Sequence, residues 1–261
     1  MPHIAPDLRA AARATGFAAL TVVQLGAVQA HERISPPAER AEVFDRHMRV
    51  WVCTLLKLFG VRILRAPRDP PPRGAVARLV VSNHRSPIDV AVLLALFGGH
   101  VLSRADLSDW PILGTAARKA GTIFVDRDHS GSGAKAIREI RRRLKDGASV
   151  IVFPEGTTFA GDQVRPFRAG AFVGAQTLDL EIVPVGIAYE PGAEFVDESF
   201  PRHLHRMASR RCTRVAVRVG PAIRPRGTAA DVAQQTRDVV QHLVHEAREM
   251  LERSQTRTSR S

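Results

Sequence analysis

His84 and Asp89 stand at a spacing that suggests proton chemistry. They belong to Ser82-Asn83-His84-Arg85-Ser86-Pro87-Ile88-Asp89, a polar run that follows an apolar stretch ending at Val81. Pro87 suits an early helical position, where its missing N–H would have lacked a partner anyway. The run therefore reads as a strand-to-helix corner, with His84 projecting into the cleft at the strand's end. Asp89 falls in the first helical turn, from which its carboxylate can reach back to the imidazole. A carboxylate on one ring nitrogen fixes the tautomer and leaves the other free to take a proton. Such a pair is a general base for a hydroxyl, requiring no metal and no covalent intermediate. Taken alone, the same two residues could equally do no more than close a turn.

Other clusters hold polar groups at the ends of apolar runs. In Gly121-Thr122-Ile123-Phe124-Val125-Asp126-Arg127-Asp128 the guanidinium of Arg127 could present its fork to a phosphate, or sit in a solvated ion pair. In Phe153-Pro154-Glu155-Gly156-Thr157-Thr158 the glycine allows close approach of a ligand. Glu155 and Thr157 could then hold a polyol or headgroup, although Pro-Glu-Gly also makes an ordinary turn. Arg165 and Arg168 add two cations downstream. Pro184 in Ile182-Val183-Pro184-Val185 marks an edge strand or a bulge. The remaining candidates carry little. His242 and His245 lack a third metal ligand, so no metal site is expected. His203 and His205 read as a solvated basic loop, and Cys53 and Cys212 lie outside every cluster.

The elements that must position these groups alternate. Strands are expected at 78–82, 122–126, 148–153, 182–188 and 214–219, and helices at 88–98, 111–120, 132–146, 168–178 and 229–251. This alternation predicts an α/β sandwich whose strands are at least partly parallel. Ahead of it, residues 14–30 are uncharged, follow Arg9 and Arg13, and are short for a membrane span. They read as a membrane-embedded or interfacial helix, a packed helix, or a cleaved signal peptide. A second helix over 38–59 carries Phe44, Met48, Trp51, Leu55 and Phe59 at helical spacing, edged by Arg40, Arg46, Arg49 and Lys57. That stripe would dock on a core or lie at a bilayer interface. Three regions follow: an N-terminal helical membrane-associating region at 1–65, a catalytic domain at 66–252, and a basic tail at 253–261.

Charge narrows the class. Lys and Arg number 38 against 26 Asp and Glu, a net charge of +12, which attracts nucleic acid and anionic lipid alike. A single Tyr and two Trp leave little surface for base stacking, and no helix-turn-helix, zinc-finger or RNA-binding signature is present. The expected surface is therefore an anionic membrane, with no nucleic acid. Two cysteines form no disulfide framework, which points to a reducing, cytoplasmic-face location.

Together the motifs resemble the glycerolipid acyltransferase family, whose best-known members are the 1-acylglycerol-3-phosphate acyltransferases. The resemblance rests on Asn83-His84-x4-Asp89, Gly121-x-Ile123-Phe124-Val125-Asp126-Arg127, Phe153-Pro154-Glu155-Gly156-Thr157 and Val183-Pro184-Val185, in the family's order and spacing. It implies an αβ acyltransferase domain behind a helical membrane-associating element. No cofactor is implied beyond the donor substrate, acyl-CoA or acyl carrier protein. His84 would be the base and Asp89 its catalytic partner. Asn83, Arg127, Glu155, Gly156 and Thr157 would bind the lysolipid acceptor, and the stretch 109–114 would build part of an acyl tunnel. The first acceptor expected is 1-acyl-sn-glycerol-3-phosphate, giving phosphatidic acid. One departure bears on it: the family's Glu-Gly-Thr-Arg-Ser reads here with Thr158 and Phe159 in the last two places, which is similar to lysophospholipid and lyso-ornithine-lipid acyltransferases. Arg165 or Arg168 would then replace the lost cation. Two rivals remain at this point: a thioesterase or lipid hydrolase that turns the His–Asp pair on water, and a noncatalytic lipid-binding module. The Gly-x-Ser-x-Gly motif of the usual hydrolases is missing.

Overall fold

Leu79, Val80 and Val81, Val150, Ile151 and Val152, and Ile182 and Val183 are all wholly buried. Unbroken branched apolar runs of this kind suit parallel strands covered on both faces. The computed structural model describes residues 5–65, 77–109, 113–119, 121–126, 131–176 and 178–258. Within them, β1 (Val61–Arg65), β2 (Arg78–Ser82), β3 (His100–Arg104), β4 (Ile123–Val125), β5 (Val150–Val152), β6 (Glu181–Tyr189) and β7 (Thr213–Val219) form one sheet. Its order is β1-β7-β6-β2-β5-β3-β4. β2 lies at the centre, parallel to β5 and β6, while β7 runs antiparallel to β6. The sheet is thus mixed, as expected.

Alternation along the strands sends side chains to two helical layers. Val80, Ile151 and Val183 face α2 (Arg40–Leu58) and α3 (Ile88–Phe97), meeting Val52, Leu56, Val92 and Leu93. Leu79, Val81, Val150, Val152 and Ile182 face the other way. They pack on α5 (Ser132–Lys145), α6 (Gly170–Ala175) and α8 (Ala229–Thr258) through Ile140, Leu144, Phe172 and Val232; α4 (Leu113–Lys119) lies between β3 and β4 in the chain. α8 lies directly on β6: a Cβ at Gly186 would stand 2.4 Å from the Leu243 carbonyl carbon, so no larger residue fits there.

Several elements depart from the sequence expectations. β1 and β3 were not foreseen, and β1, inside the first 65 residues, is an edge strand paired with β7. The stretch from 253 continues α8 as helix through Thr258. Pro184 is not on an edge strand, since β6 lies between β7 and β2. It falls where the regular β6–β7 ladder, which starts at Val185–Val219, gives way to a single bridge between Ile182 and Ile223. The missing N–H therefore costs no regular ladder bond. Residues 203 and 205 lie on a helix, α7 (Phe200–Ser209), rather than in a loop.

At the N-terminus, α1 (Pro6–Ile34) is long and apolar enough to cross a membrane by length and composition. It packs on α2 and α7, and Thr21 accepts a hydrogen bond from the Trp51 indole at 3.2 Å. The buried side of α1 is partly polar, with Thr21 inside, while Ala11, Ala12, Ala19, Val22 and Val23 face out. Arg9 and Arg13 bond carbonyls of Ser209 and Ala208 at the α7 C-terminus, where a helix dipole favours cations. α2 docks on the core through Val52 and Leu56, which the expected stripe did not include; of that stripe, Met48 and Trp51 pack against the same cluster.

Candidate active site

The C-terminal ends of β2, β5 and β6 converge, and the groups that carry chemistry come from the segments leaving them. This is where open α/β sheets bind ligands. The turn after β2 presents His84, whose Nδ1 lies 2.9 Å from Asp89 Oδ2. Asp89, in the first turn of α3, is fully buried. Its Oδ2 also accepts the N–H groups of Arg85 at 2.6 Å and Ser86 at 2.9 Å, and its Oδ1 accepts the Tyr189 hydroxyl at 2.6 Å. A carboxylate gathering so many donors is itself an acceptor, so His84 Nδ1 carries the proton and Nε2 is the free base. The His84 ring stacks on Phe153, centroids 4.1 Å apart and planes 19° apart, which sets its tilt. Its side chain remains 19% exposed, whereas the Asp89 side chain has no exposure. Burial and the Asp89 charge push the Tyr189 phenol well above its ordinary range, so it remains a donor.

Glu155, expected to line the acceptor pocket, lies behind this turn with its side chain wholly buried. Its Oε2 accepts the His84 N–H at 2.6 Å and the Arg85 guanidinium at 2.8 Å, and its Oε1 accepts the Arg165 N–H at 2.8 Å. Asn83 is equally committed. Its amide donates to the Ile187 carbonyl and accepts the Ile187 N–H, each at 2.8 Å, so it fastens the turn to β6 from a fully buried position. Gly156 holds φ at +86°, a left-handed conformation natural to glycine, and a Cβ there would meet the Arg168 guanidinium at 3.0 Å. Thr157 is exposed at the rim. Thr158, in the place of the family's arginine, donates its hydroxyl to the Phe195 carbonyl at 2.6 Å. Arg127 lies outside the described residues, as do Trp110, Pro111 and Ile112 of the stretch assigned to a tunnel.

The backbone N–H groups of His84, Arg85 and Ser86 are all bound to carboxylates. None of the three is therefore left to bind an incoming anion.

Four residues were missed by sequence reasoning. Arg85 is buried, and its guanidinium reaches Glu155, the His84 carbonyl and the carbonyls of Gly161 and Gln163. Tyr189 reaches Asp89 across 100 residues of sequence. His203, read as solvated, is buried: its Nε2 lies 3.2 Å from the Ser86 hydroxyl and its Nδ1 2.8 Å from Glu198. Burial holds the His203 ring below its usual pKa, against the pull of Glu198. Arg248 on α8 grips Asp162 with two nitrogens, at 2.7 and 2.9 Å, and donates to the Tyr189 carbonyl at 2.7 Å. Only Arg85 had a local signal, its place inside the His-x4-Asp turn.

Beside Phe153 an apolar cavity of about 310 Å³ runs between β4, α5 and α6, lined by Leu102, Val125, Ile137 and Ile140, with Gly156 and Arg168 at its polar end. Among the described residues no group of three potential metal ligands occurs.

Several known proteins resemble this chain in sequence or in fold. A family model described as Acyltransferase matches residues 71–188. A lyso-ornithine lipid O-acyltransferase from Pseudomonas aeruginosa is 32% identical over 206 residues, covering 75% of this chain and 76% of that protein. A 1-acyl-sn-glycerol-3-phosphate acyltransferase from Neisseria gonorrhoeae is 28% identical, and the match covers 54% of this chain and 58% of that protein. The crystal structure of the 1-acyl-sn-glycerophosphate acyltransferase PlsC from Thermotoga maritima superposes with a TM-score of 0.65, covering 90% of this chain and 98% of that one. At 19% identity that likeness shows a shared fold. From the family model across the site and the relative matched along three-quarters of both sequences, it follows that this chain belongs to the acyltransferase family and is an O-acyltransferase.

Proposed function

We propose that the protein moves a fatty acyl group from an acyl thioester, acyl-CoA or acyl carrier protein, to the free hydroxyl of a lysolipid at a membrane surface. The observation that carries this reading is the His84–Asp89 pair, with Nδ1 anchored on a buried carboxylate and Nε2 free. His84 Nε2 takes the acceptor's hydroxyl proton as that oxygen attacks the thioester carbon. The tetrahedral intermediate collapses with loss of the thiolate, which recovers the proton from the imidazolium. Asp89 stabilises that imidazolium and holds its orientation. The apolar cavity beside Phe153 is suited to an acyl chain, and no further cofactor is required.

Two acceptors fit, a lyso-ornithine lipid and 1-acyl-sn-glycerol-3-phosphate. The first is favoured by Thr158, which stands where the family usually has arginine and whose hydroxyl is engaged with Phe195. The second is supported by the Neisseria relative's name. In either case Arg127, Thr157 and Arg168 are the groups we assign to the headgroup. For the membrane contact we assign the outward face of α1, uncharged from Ala14 to Ala30, with the chain's net charge of +12 drawing it to anionic lipid on the cytoplasmic face.

The test is acyl transfer by purified protein, supplied with acyl-CoA or acyl carrier protein and each lysolipid in turn. His84→Ala should lower turnover by about 10²- to 10⁴-fold with the fold intact, and Asp89→Asn should also lower it. Thiol release at equal rates with and without acceptor would instead mark a thioesterase. Near wild-type turnover by His84→Ala would end the assignment of the base.

A further inference from the structure

We propose that Tyr189, the chain's single tyrosine, is a positioning residue for the reaction: its hydroxyl holds the Asp89 carboxylate and limits how strongly that carboxylate draws a proton onto His84. The proposal rests on His84 acting as the base. Asp89 is buried, and its four hydrogen bonds are unequally divided. His84, Arg85 N–H and Ser86 N–H share Oδ2, whereas Oδ1 is held by Tyr189. Apart from the imidazole, every one of these donors is neutral. The guanidinium of Arg85, whose backbone N–H binds Asp89, is turned to Glu155. The negative charge left to face His84 is therefore set by neutral hydrogen bonds, and a phenol donating to a carboxylate at 2.6 Å is the kind that takes up much of it.

The phenol is held firmly in place. Tyr189 ends β6, its ring is buried in the core with Val92 and Met207, and its carbonyl is gripped by Arg248, itself locked on Asp162. Other charged groups also surround the pair. Glu155 and Arg85 lie behind the turn, Glu194 acts on Tyr189, and His203 with Glu198 and Arg206 approaches from α7 through Ser86. None of them is altered in the experiments below, so their influence is common to every arm.

Removing the hydroxyl leaves Oδ1 without its donor in a buried site, and the carboxylate charge then falls more heavily on the imidazole, raising its basicity. Tyr189→Phe should move the acid limb of the kcat/KM profile to higher pH, by about half a unit to one unit, and lower kcat roughly 10-fold. Because the chain has one tyrosine, growth on 3-fluorotyrosine replaces this residue alone. The fluorinated phenol is a stronger donor of the same shape, so the acid limb should move to lower pH. In an Asp89→Asn background, Tyr189→Phe should change kcat little, since the two act as one unit. Limbs that stay put, shifts in the same direction, or fully additive losses would overturn the proposal. The fluorotyrosine enzyme decides alone if the Phe variant does not fold. Its failure is distinct from failure of the base assignment, which requires that His84→Ala remain active.

Discussion

Glu155 separates two ways of reading the motif that contains it. If it faced the acceptor, Glu155→Gln would raise the acceptor's KM and leave stability nearly untouched. The structure leads to a different expectation, because three donors converge on a side chain with no exposure. Glutamine has one oxygen where glutamate has two, so its NH2 must point at Arg165 N–H or at the two donors on the other side. At least one donor then loses its partner, and the buried Arg85 guanidinium loses its counter-charge. Breaking a buried ion pair from one side costs about 3–5 kcal/mol, and each kcal/mol lowers the melting temperature of a chain of this size by about 2–4 °C. A fall of roughly 6–20 °C in Tm is therefore expected. The backbone of His84 is freed at the same time, so kcat should fall while the acceptor's KM changes little. Thermal melting of purified protein and initial rates at varied acceptor read both quantities. An unchanged melting curve with a raised acceptor KM would refute the structural role.

Arg127→Ala and Arg168→Ala should each raise the acceptor's KM with little change in the donor's. Lysine should rescue only partly, because it lacks the guanidinium fork. A monoacylglycerol acceptor, which lacks the anionic group, should be used equally well by both variants and the parent, and a loss there would assign these arginines another role. For the membrane, removing the first 60 residues is a poor test, since it strips Val52 and Leu56 from the core. Val22 and Val23 on α1 are 61% and 67% exposed, so Val22→Glu with Val23→Glu leaves packing alone. The doubly substituted protein should melt like the parent yet fail to sediment with anionic vesicles. Equal sedimentation would remove α1 as the contact.

Some of this protein was settled by sequence alone. Apolar runs ending in polar turns located β2, β4, β5, β6 and β7, because a buried strand needs such a run wherever it pairs. The helical signals are likewise local: α5 and α8 are amphipathic, and α3 is an apolar run that follows Pro87. So is the His84–Asp89 contact: five residues across a strand-to-helix corner bring an aspartate back onto a histidine whatever surrounds it. Tertiary structure decided everything that depends on a distant partner. β1 and β3 have their apolar runs broken by Arg62 and Ser103, and it is their pairing with β7 and β5 that makes them strands. α7 is rich in basic residues and reads as a loop until His203 and Met207 are seen to turn inward. Asn83 and Glu155 share motifs with reactive groups, yet the fold buries both and gives each partners that hold the turn. Tyr189 has no local signature, because its meaning comes from Asp89, brought to it only when β6 lies beside β2. A sequence shows which groups can ionise or donate; which of them face solvent and which must be satisfied inside depends on what the sheet places against them.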